Sequence, residues 1–500
     1  MSRAKELVEV YMQVTPPDTT NREGFPAYTR SLEEQLLQVL MTNTLSNTFY
    51  ATSKELLQET FEVHEQALKK DSEFFARALV YARNEGFMKL QPIVGLAKLS
   101  NVRSDLFKRV FDRVVLIPSD LQDFFTILDG LGRGQGGQAI KKTVATWLNE
   151  KLSEYWVIKY GSKSRGRGFS LGDIVRVVHP KPIGEKQSAI FAYLRGVSGV
   201  GSLPQIETYE KFKRASAEEK AKLIREGRLP HEVVTGVGDL DKDCWRALVP
   251  QLPVLALLRN LNTLSRHEVL DEVSDLITSK LTNEAVLRST KIFPFQFLKA
   301  FQVIDSSWVR DVLRQSVEIT AKNLPSIEGK AALFLDCSGS MRGDPILIGA
   351  VFAFSLFKKT NGNCVFWLFD TLVYEAEPSL LDSILSQAER IHASGGTNTG
   401  APIELLTKKG IFVNNIIMIT DEQQNEGNPF YRGLSRYRAK INKNVKCYVI
   451  DVSPYRSAVV PSSDRLTWYL YGWSDRVLHF ISYTNQGFDS MVEKVREIHI

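Results

Sequence analysis

The sequence predicts two architectures in one chain: an irregular array of α-helices over residues 1–327, then a doubly wound α/β domain over residues 328–500. Up to about residue 325, apolar residues recur at three- and four-residue spacing, the period of amphipathic helices. Beyond "KNLPSIEGK" near-continuous apolar runs alternate with helical ones, the pattern of a mostly parallel sheet covered on both faces. The length of 500 residues accommodates both.

Within the helical part, "SLEEQLLQVL", "TSKELLQETFEVHEQAL", "DSEFFARALVYARNEG", "SDLFKRVFDRVVLIP" and "SDLQDFFTILDGL" follow one another with short connectors. Many begin with Ser, Thr or Asp, whose side-chain oxygen accepts from unpaired N–H groups of the first helical turn. Such a succession predicts paired antiparallel helices stacked as a solenoid; with no fixed-period repeat the array is irregular, and an ordinary helical bundle stays open.

In the α/β part the predicted strands are "AALFLD", "NCVFWLFD", "TLVYEAE", "NNIIMITD", "KCYVIDVS" and "RVLHFISYT". The helices are "PILIGAVFAFSLFKK", "SLLDSILSQAERI", "APIELLTKKG", "YRGLSRYRAKI" and a terminal "FDSMVEKVREIHI". In such sheets ligands bind at the carboxyl ends of the strands. Asp336, Ser338 and Ser340 follow directly on the first strand, Asp421 directly on "IIMIT", and Thr397 lies in the Gly-rich loop "SGGTNTG". Five oxygens converging at one sheet edge, with no thiolate or imidazole, suit a hard cation: Mg²⁺, or alternatively Mn²⁺. Neutral hydroxyl ligands leave such an ion electrophilic toward an outside carboxylate or phosphate. The competing reading is that Asp336 and the serines merely cap the helix that begins near Asp344. Cys337 is expected to point away from the ion, and His392 to be structural.

Composition narrows the function. With 43% hydrophobic and 24% charged residues the chain reads as an ordinary globular protein, and no window approaches the roughly 18 consecutive apolar residues of a spanning helix. The N-terminal residues lack a secretory pattern, which predicts a cytoplasmic protein away from membranes. Cys244, Cys337, Cys364 and Cys447 are widely spaced, without a C-x-x-C pair, and read as reduced packing residues. No G-x-S-x-G elbow, Cys-His pairing signal or P-loop accompanies the metal motif, so an enzyme is not expected. The net charge of +6 is concentrated. Residues 133–182 hold ten Lys/Arg against three acids, a local +7 that leaves the rest of the chain at −1. Such a patch is an electrostatic footprint for phosphate. Within it, "GLGRGQGGQ" follows a helix rather than a strand and reads as a flexible basic turn, not a dinucleotide loop. It leads into a helix carrying Lys141 and Lys142, and "KYGSKSRGRGFSLGDIVRVVHPKP" adds a basic loop and a helix ending at His179.

"DCSGS", "GGT" and "ITD", in this order on alternating strands and helices, resemble the metal-ion-dependent adhesion site of a von Willebrand A domain. That resemblance implies Asp336, Ser338 and Ser340 as the D-x-S-x-S ligands, Thr397 as the threonine ligand, and Asp421 as the distal aspartate acting through water. "AIKKTVATWLNEK" followed by "IVRVVHPKP" is similar to the RNA-binding segment of the Ro ribonucleoprotein (TROVE) family, and "YLYGWSDRVLHFIS" to that family's last strand. The resemblance covers nearly the whole chain and implies a ring of irregular, HEAT-like helical repeats joined to a von Willebrand A domain. It further implies binding of Y RNA on the outer face and of single-stranded ends of misfolded noncoding RNAs in the central hole, in RNA quality control. An exoribonuclease tethered through the RNA is an implied partner, and the chain itself is expected to be a monomer. By the same resemblance Lys141, Lys142, Arg176 and His179 are RNA contacts; Arg133, Lys159 and Lys181 join them from charge and proximity. The "RGQGGQ" turn differs from the family pattern in length and composition. The rival reading is a cytoplasmic protein-interaction scaffold that uses the metal site and the helical repeats to bind proteins.

Overall fold

A computed structural model describes residues 15–42, 46–133, 136–161, 168–197, 202–290, 292–322, 324, 326–483 and 490–500. The chain packs as two compact units: the first joins residues up to Phe87 with Leu287–His499, and the second is essentially Met88–Val286. These units describe packing, and their limits differ from the division at residue 327.

Among its described residues the second unit contains helices and no strand. Its contacts run between helices near in sequence: Leu90–Val102 packs on Ser104–Val114 and Pro118–Gly130, Gln138–Lys151 on Leu171–Val178, and Pro204–Phe212 on Ala217–Gly227. Neighbour-to-neighbour packing is the signature of a stacked array. Buried Phe107, Phe111, Phe124 and Phe125 hold its first helices together, with Phe107 stacked on Phe124 at 5.8 Å.

In the first unit the start signals act as expected. The Ser31 hydroxyl accepts from the Glu34 N–H at 3.2 Å while the Glu34 carboxylate accepts from the Ser31 N–H at 2.9 Å, opening the helix Leu32–Met41. Thr52 and Glu55 repeat this reciprocal cap for Ser53–Lys70. Two short strands, β1 (Thr19–Thr20) and β2 (Pro26–Thr29), precede these helices and were not legible in the sequence pattern.

The α/β part contributes β3 (Ala331–Asp336), β4 (Cys364–Phe369), β5 (Val373–Glu375), β6 (Asn415–Thr420), β7 (Lys446–Asp451), β8 (Ser457–Ala458) and β9 (Thr467–Tyr471). The main sheet runs β5-β4-β3-β6-β7-β9, parallel except for the β4–β5 hairpin. Its order reverses at β3, whose neighbours are β4 and β6, so the switch point faces the loops after β3 and β6. The predicted strand "RVLHFISYT" is a correction. Asp475–His479 is a 3₁₀ turn and Phe480–Tyr483 a helical turn, while the sixth strand is β9, just upstream. Buried Val477, Leu478, Phe480 and Ile481 fall at helical spacing, a period of 3.6 misread as 2. A second small sheet has the order β1-β2-β8, so the N-terminal segment is tied to the chain that follows β7. Among the described residues no helix is long and apolar enough to cross a membrane.

Candidate metal centre and candidate nucleic-acid interface

The carboxyl ends of β3, β6, β7 and β9 bring a polar row onto one sheet edge. Thr420 is paired with Asp451 across β6–β7, and Asp451 with Tyr471 across β7–β9. The Thr420 hydroxyl donates to Asp336 Oδ2 at 2.6 Å, and the Ser338 N–H to Asp336 Oδ1 at 2.9 Å. The Ser338 and Ser340 hydroxyls are 3.2 Å apart. The Gly-rich loop docks directly on this turn: Gly339 N–H donates to the Gly395 carbonyl at 2.9 Å, and Ser394 N–H to the Cys337 carbonyl at 2.8 Å. Gly395 has φ +79, and a Cβ there would lie 2.9 Å from Asp370 Oδ2. The approach therefore needs glycine. Thr397 is then held in place, its N–H donating to Asn425 Oδ1 at 2.9 Å and its carbonyl accepting from Asn425 N–H at 3.0 Å.

All five predicted donors, Asp336, Ser338, Ser340, Thr397 and Asp421, are buried in this one corner of the fold. They do not cap the following helix, whose N-cap is Gly343 with no side-chain cap. Asp421 Oδ2 is buried without a hydrogen-bond partner, an orphaned acceptor of the kind a cation satisfies. Burial pushes Asp336 up to about 6 and Asp421 up to about 7, Asp336 itself adding to the second shift. Two buried carboxylates facing each other need either protons or a cation. Among the described residues no grouping of three or more His, Cys, Asp or Glu side chains is arranged to hold a metal; the set here fits through hydroxyls together with two carboxylates, the chemistry of Mg²⁺ or Mn²⁺. A bound ion would supply an electrophilic point for an anionic ligand, held by these residues. The Cys337 thiol donates to the Phe369 carbonyl at 3.2 Å and is raised to about 12 by burial. His392 stands exposed beside the loop.

Several residues of this corner lay outside the sequence reading. Asp370, directly after β4, is buried and its charge reaches Asp336; a carboxylate closing an apolar strand, as Asp336 does, was the available signal. Tyr50 and Glu23 come from the N-terminal segment: burial pushes the Tyr50 phenol up, with the charges of Glu23 and Asp421 adding to the shift. Arg30, fully buried, donates to Glu422, to Asp451 Oδ2 at 3.0 Å and to the Tyr471 hydroxyl at 2.8 Å. Its guanidinium lies 4.3 Å from the centroid of the Tyr469 ring. Gln38 adds a donor to Asp451 Oδ2 at 2.6 Å.

The candidate RNA contacts all lie in the helical unit. Lys142 is exposed on the helix Gln138–Lys151, and Lys141 beside it is half-buried. Asn149, seven residues and two turns beyond Lys142 on the same stripe, donates to the Lys181 carbonyl at 3.0 Å and accepts from the Ile183 N–H at 2.9 Å. The loop bearing exposed Lys181 is thus pinned to the Lys142 stripe. The helix Leu171–Val178 packs on the same helix and ends at exposed His179, whose φ of 51° is left-handed, while Arg176 stays exposed beyond a weak surface pair with Asp173. Arg133 and Lys159 are engaged elsewhere: Arg133 Nη1 donates to the Ser100 hydroxyl at 3.0 Å, and Lys159 pairs with Glu232 at 2.6 Å among the rings of Tyr155, Trp156 and Tyr160. Lys163, Arg165 and Arg167 lie outside the described residues.

Residues 239–340 match the TROVE domain family model, a segment that ends with the last residue of the "DCSGS" motif and lies beyond the basic segment. The fold is similar to the crystal structure of the Deinococcus radiodurans RO (RSR) protein, with a TM-score of 0.66 and 20% identity, covering 91% of this chain and 100% of that one. The family match is confined to residues 239–340, and the likeness to the RO (RSR) protein over most of the chain shows a shared fold.

Proposed function

We propose that this chain is an RNA-binding scaffold of the Ro type, holding a small structured Y RNA on a basic helical face and taking single-stranded ends of misfolded noncoding RNAs. The observation that carries this reading is that Lys142, Arg176, His179 and Lys181 are all exposed and lie on elements that pack on or hydrogen-bond to the helix Gln138–Lys151. Cations on a rigid helical surface contact phosphates and 2′-hydroxyls by shape rather than sequence. The scaffold acts in the cytoplasm in RNA quality control or processing, and any cleavage belongs to an exoribonuclease tethered through the RNA. Asp336, Ser338, Ser340, Thr397 and Asp421 hold Mg²⁺ and present it to an acidic ligand.

The test is RNA binding by purified protein across a salt series, using a hairpin with a single-stranded 3′ tail, the same hairpin without it, and a Y-like structured RNA. Steeply salt-dependent binding, lost when Lys141, Lys142 and His179 are replaced together by Gln in a folded protein, is the expected result. Binding to none of the three RNAs would sink the proposal in favour of a protein scaffold.

A further inference from the structure

We propose that a cleft in the first unit, between the helix Phe430–Lys440 and the loop 460–466, grips a phosphate of the RNA backbone through Lys443 and Arg465, a step that rests on the RNA-binding reading. The charge balance of the whole chain hides a second basic run. Residues 427–450 carry six Lys/Arg and no acid. Tyr431, Ser435, Arg438 and Ala439 stand four, seven and eight positions along the helix from the first, so a single helix face forms one wall of the cleft. Lys443, just past the helix, and Arg465, on the facing loop, complete it. Its volume is about 530 Å³, within the roughly 300–1,000 Å³ of ligand sites.

Arg438 is engaged in holding the cleft together. Its guanidinium pairs with Asp464 and donates to the carbonyls of Val445 at 3.3 Å and Leu466 at 3.2 Å. Val445 lies two residues beyond Lys443, and Leu466 directly follows Arg465, so this one brace fixes both chain segments that carry the other cations. Asp464, the one acid among the described residues lining the cleft, is saturated: besides Arg438 it accepts from the Leu466 N–H at 3.0 Å and the Thr467 hydroxyl at 3.1 Å. Lys443 and Arg465 are exposed, and among the described residues no carboxylate pairs with either. Two such cations on braced segments, with the hydroxyls of Thr15, Ser435 and Ser463 lining the same cleft, are a donor set for phosphate oxygens. Contacts of this kind hold the backbone and read no base edge, so the grip is independent of sequence.

The experiment follows binding to full-length protein by fluorescence anisotropy across a salt series, using whichever of the tailed hairpin, the untailed hairpin and the Y-like RNA wild type binds most tightly. Wild type is compared with the double variant Lys443→Gln/Arg465→Gln and with a control, Lys54→Gln/Lys69→Gln, that removes the same charge elsewhere in the first unit. All four side chains are exposed, so the core is untouched. The cleft variant should lose about tenfold in affinity, and its slope of log affinity against log salt should shrink by about 1.4–1.8, two contacts at about 0.7–0.9 each. The control should keep the wild-type slope. A parallel titration with AMP separates RNA from a free nucleotide as the source of the phosphate: AMP binding that the cleft variant loses while its RNA binding is unchanged would overturn RNA as the ligand. Wild-type slope and affinity in the cleft variant, or an equal fall in both double variants, would overturn the site while leaving RNA binding standing. Binding of none of the three RNAs by wild type would overturn the RNA reading and this inference with it.

Discussion

Replacing Arg30 by Met removes a guanidinium that is fully buried together with its partners Glu422 and Asp451. Burial raises Glu422 and raises Asp451 well above the ordinary carboxylate range, with Arg30 pulling both back down. Without Arg30 the cluster must hold a further proton. Protonating a carboxylate with an ordinary pKa of about 4.3 at pH 7.5 costs about 4 kcal/mol, and at pH 5.5 about 1.5 kcal/mol. The first figure agrees with the roughly 3–5 kcal/mol typical of breaking a buried pair. A native carboxylate that keeps its proton binds more protons than the unfolded chain, so the variant's stability falls as pH rises above the unfolded value. At about 2 °C per kcal/mol for a unit of this size, scanning calorimetry should find Tm lowered by about 8 °C at pH 7.5 and about 3 °C at pH 5.5. Adding Glu422→Gln, which keeps an acceptor for the Val459 N–H, should recover more than half of the loss at pH 7.5. A shift that is the same at both pH values, or no recovery in the double variant, would refute the reasoning.

Asp336→Ala should abolish Mg²⁺ binding in calorimetric titrations while RNA affinity stays within about twofold, because each site is built within its own compact unit. With Asp336 raised to about 6 and Asp421 to about 7, Mg²⁺ must displace protons: affinity should climb from pH 5 to 7 and level off above, with proton release measured in buffers of different ionisation enthalpy. The same raised carboxylates make the metal-free protein lose stability between about pH 4 and 7, and saturating Mg²⁺ should remove that loss in a Tm series. Lys142→Gln should reduce the slope of log affinity against log salt by about one, whereas Lys159→Gln, already paired with Glu232, should reduce it less.

The α/β order and the switch point were legible because the period of each apolar strand is local information, and Asp336, Ser338, Ser340 and Asp421 stood out at the ends of such strands, with Thr397 marked by its Gly-rich loop. The helix starts were legible for the same reason, since Ser31 and Glu34 or Thr52 and Glu55 interact within one turn. What the sequence hid is long-range. Asn21 meets Gln424 across 403 positions, and no spacing rule connects them. The pairing of Lys159 with Glu232 and of Arg133 with Ser100 was hidden likewise, so charge counting overstated how many of the ten cations in the basic segment are free for phosphate. The last strand failed for another reason: four apolar residues fit two periods, and the choice of helical turn over strand was made by packing.

Arg30 also bears on why a charged cluster occupies a place where apolar residues would fit. A buried ion pair contributes little net stability compared with a well-packed apolar replacement, so its presence calls for another reason. Glu422 sits immediately after the metal candidate Asp421 and adopts φ +62, a left-handed conformation that costs a non-glycine residue roughly 1–2 kcal/mol. An apolar side chain there could fill the space but could not hold the backbone in that conformation. The Arg30 guanidinium and the Val459 N–H grip the Glu422 carboxylate and fix the turn directly after Asp421, whose Oδ2 is buried without a hydrogen-bond partner. On this account the N-terminal segment reaches the sheet edge through Arg30, which sets the turn after the candidate distal aspartate. The candidate metal site then depends on Arg30 from the N-terminal segment, and residues 328–500 alone would carry its motif without the contact that sets the turn after Asp421.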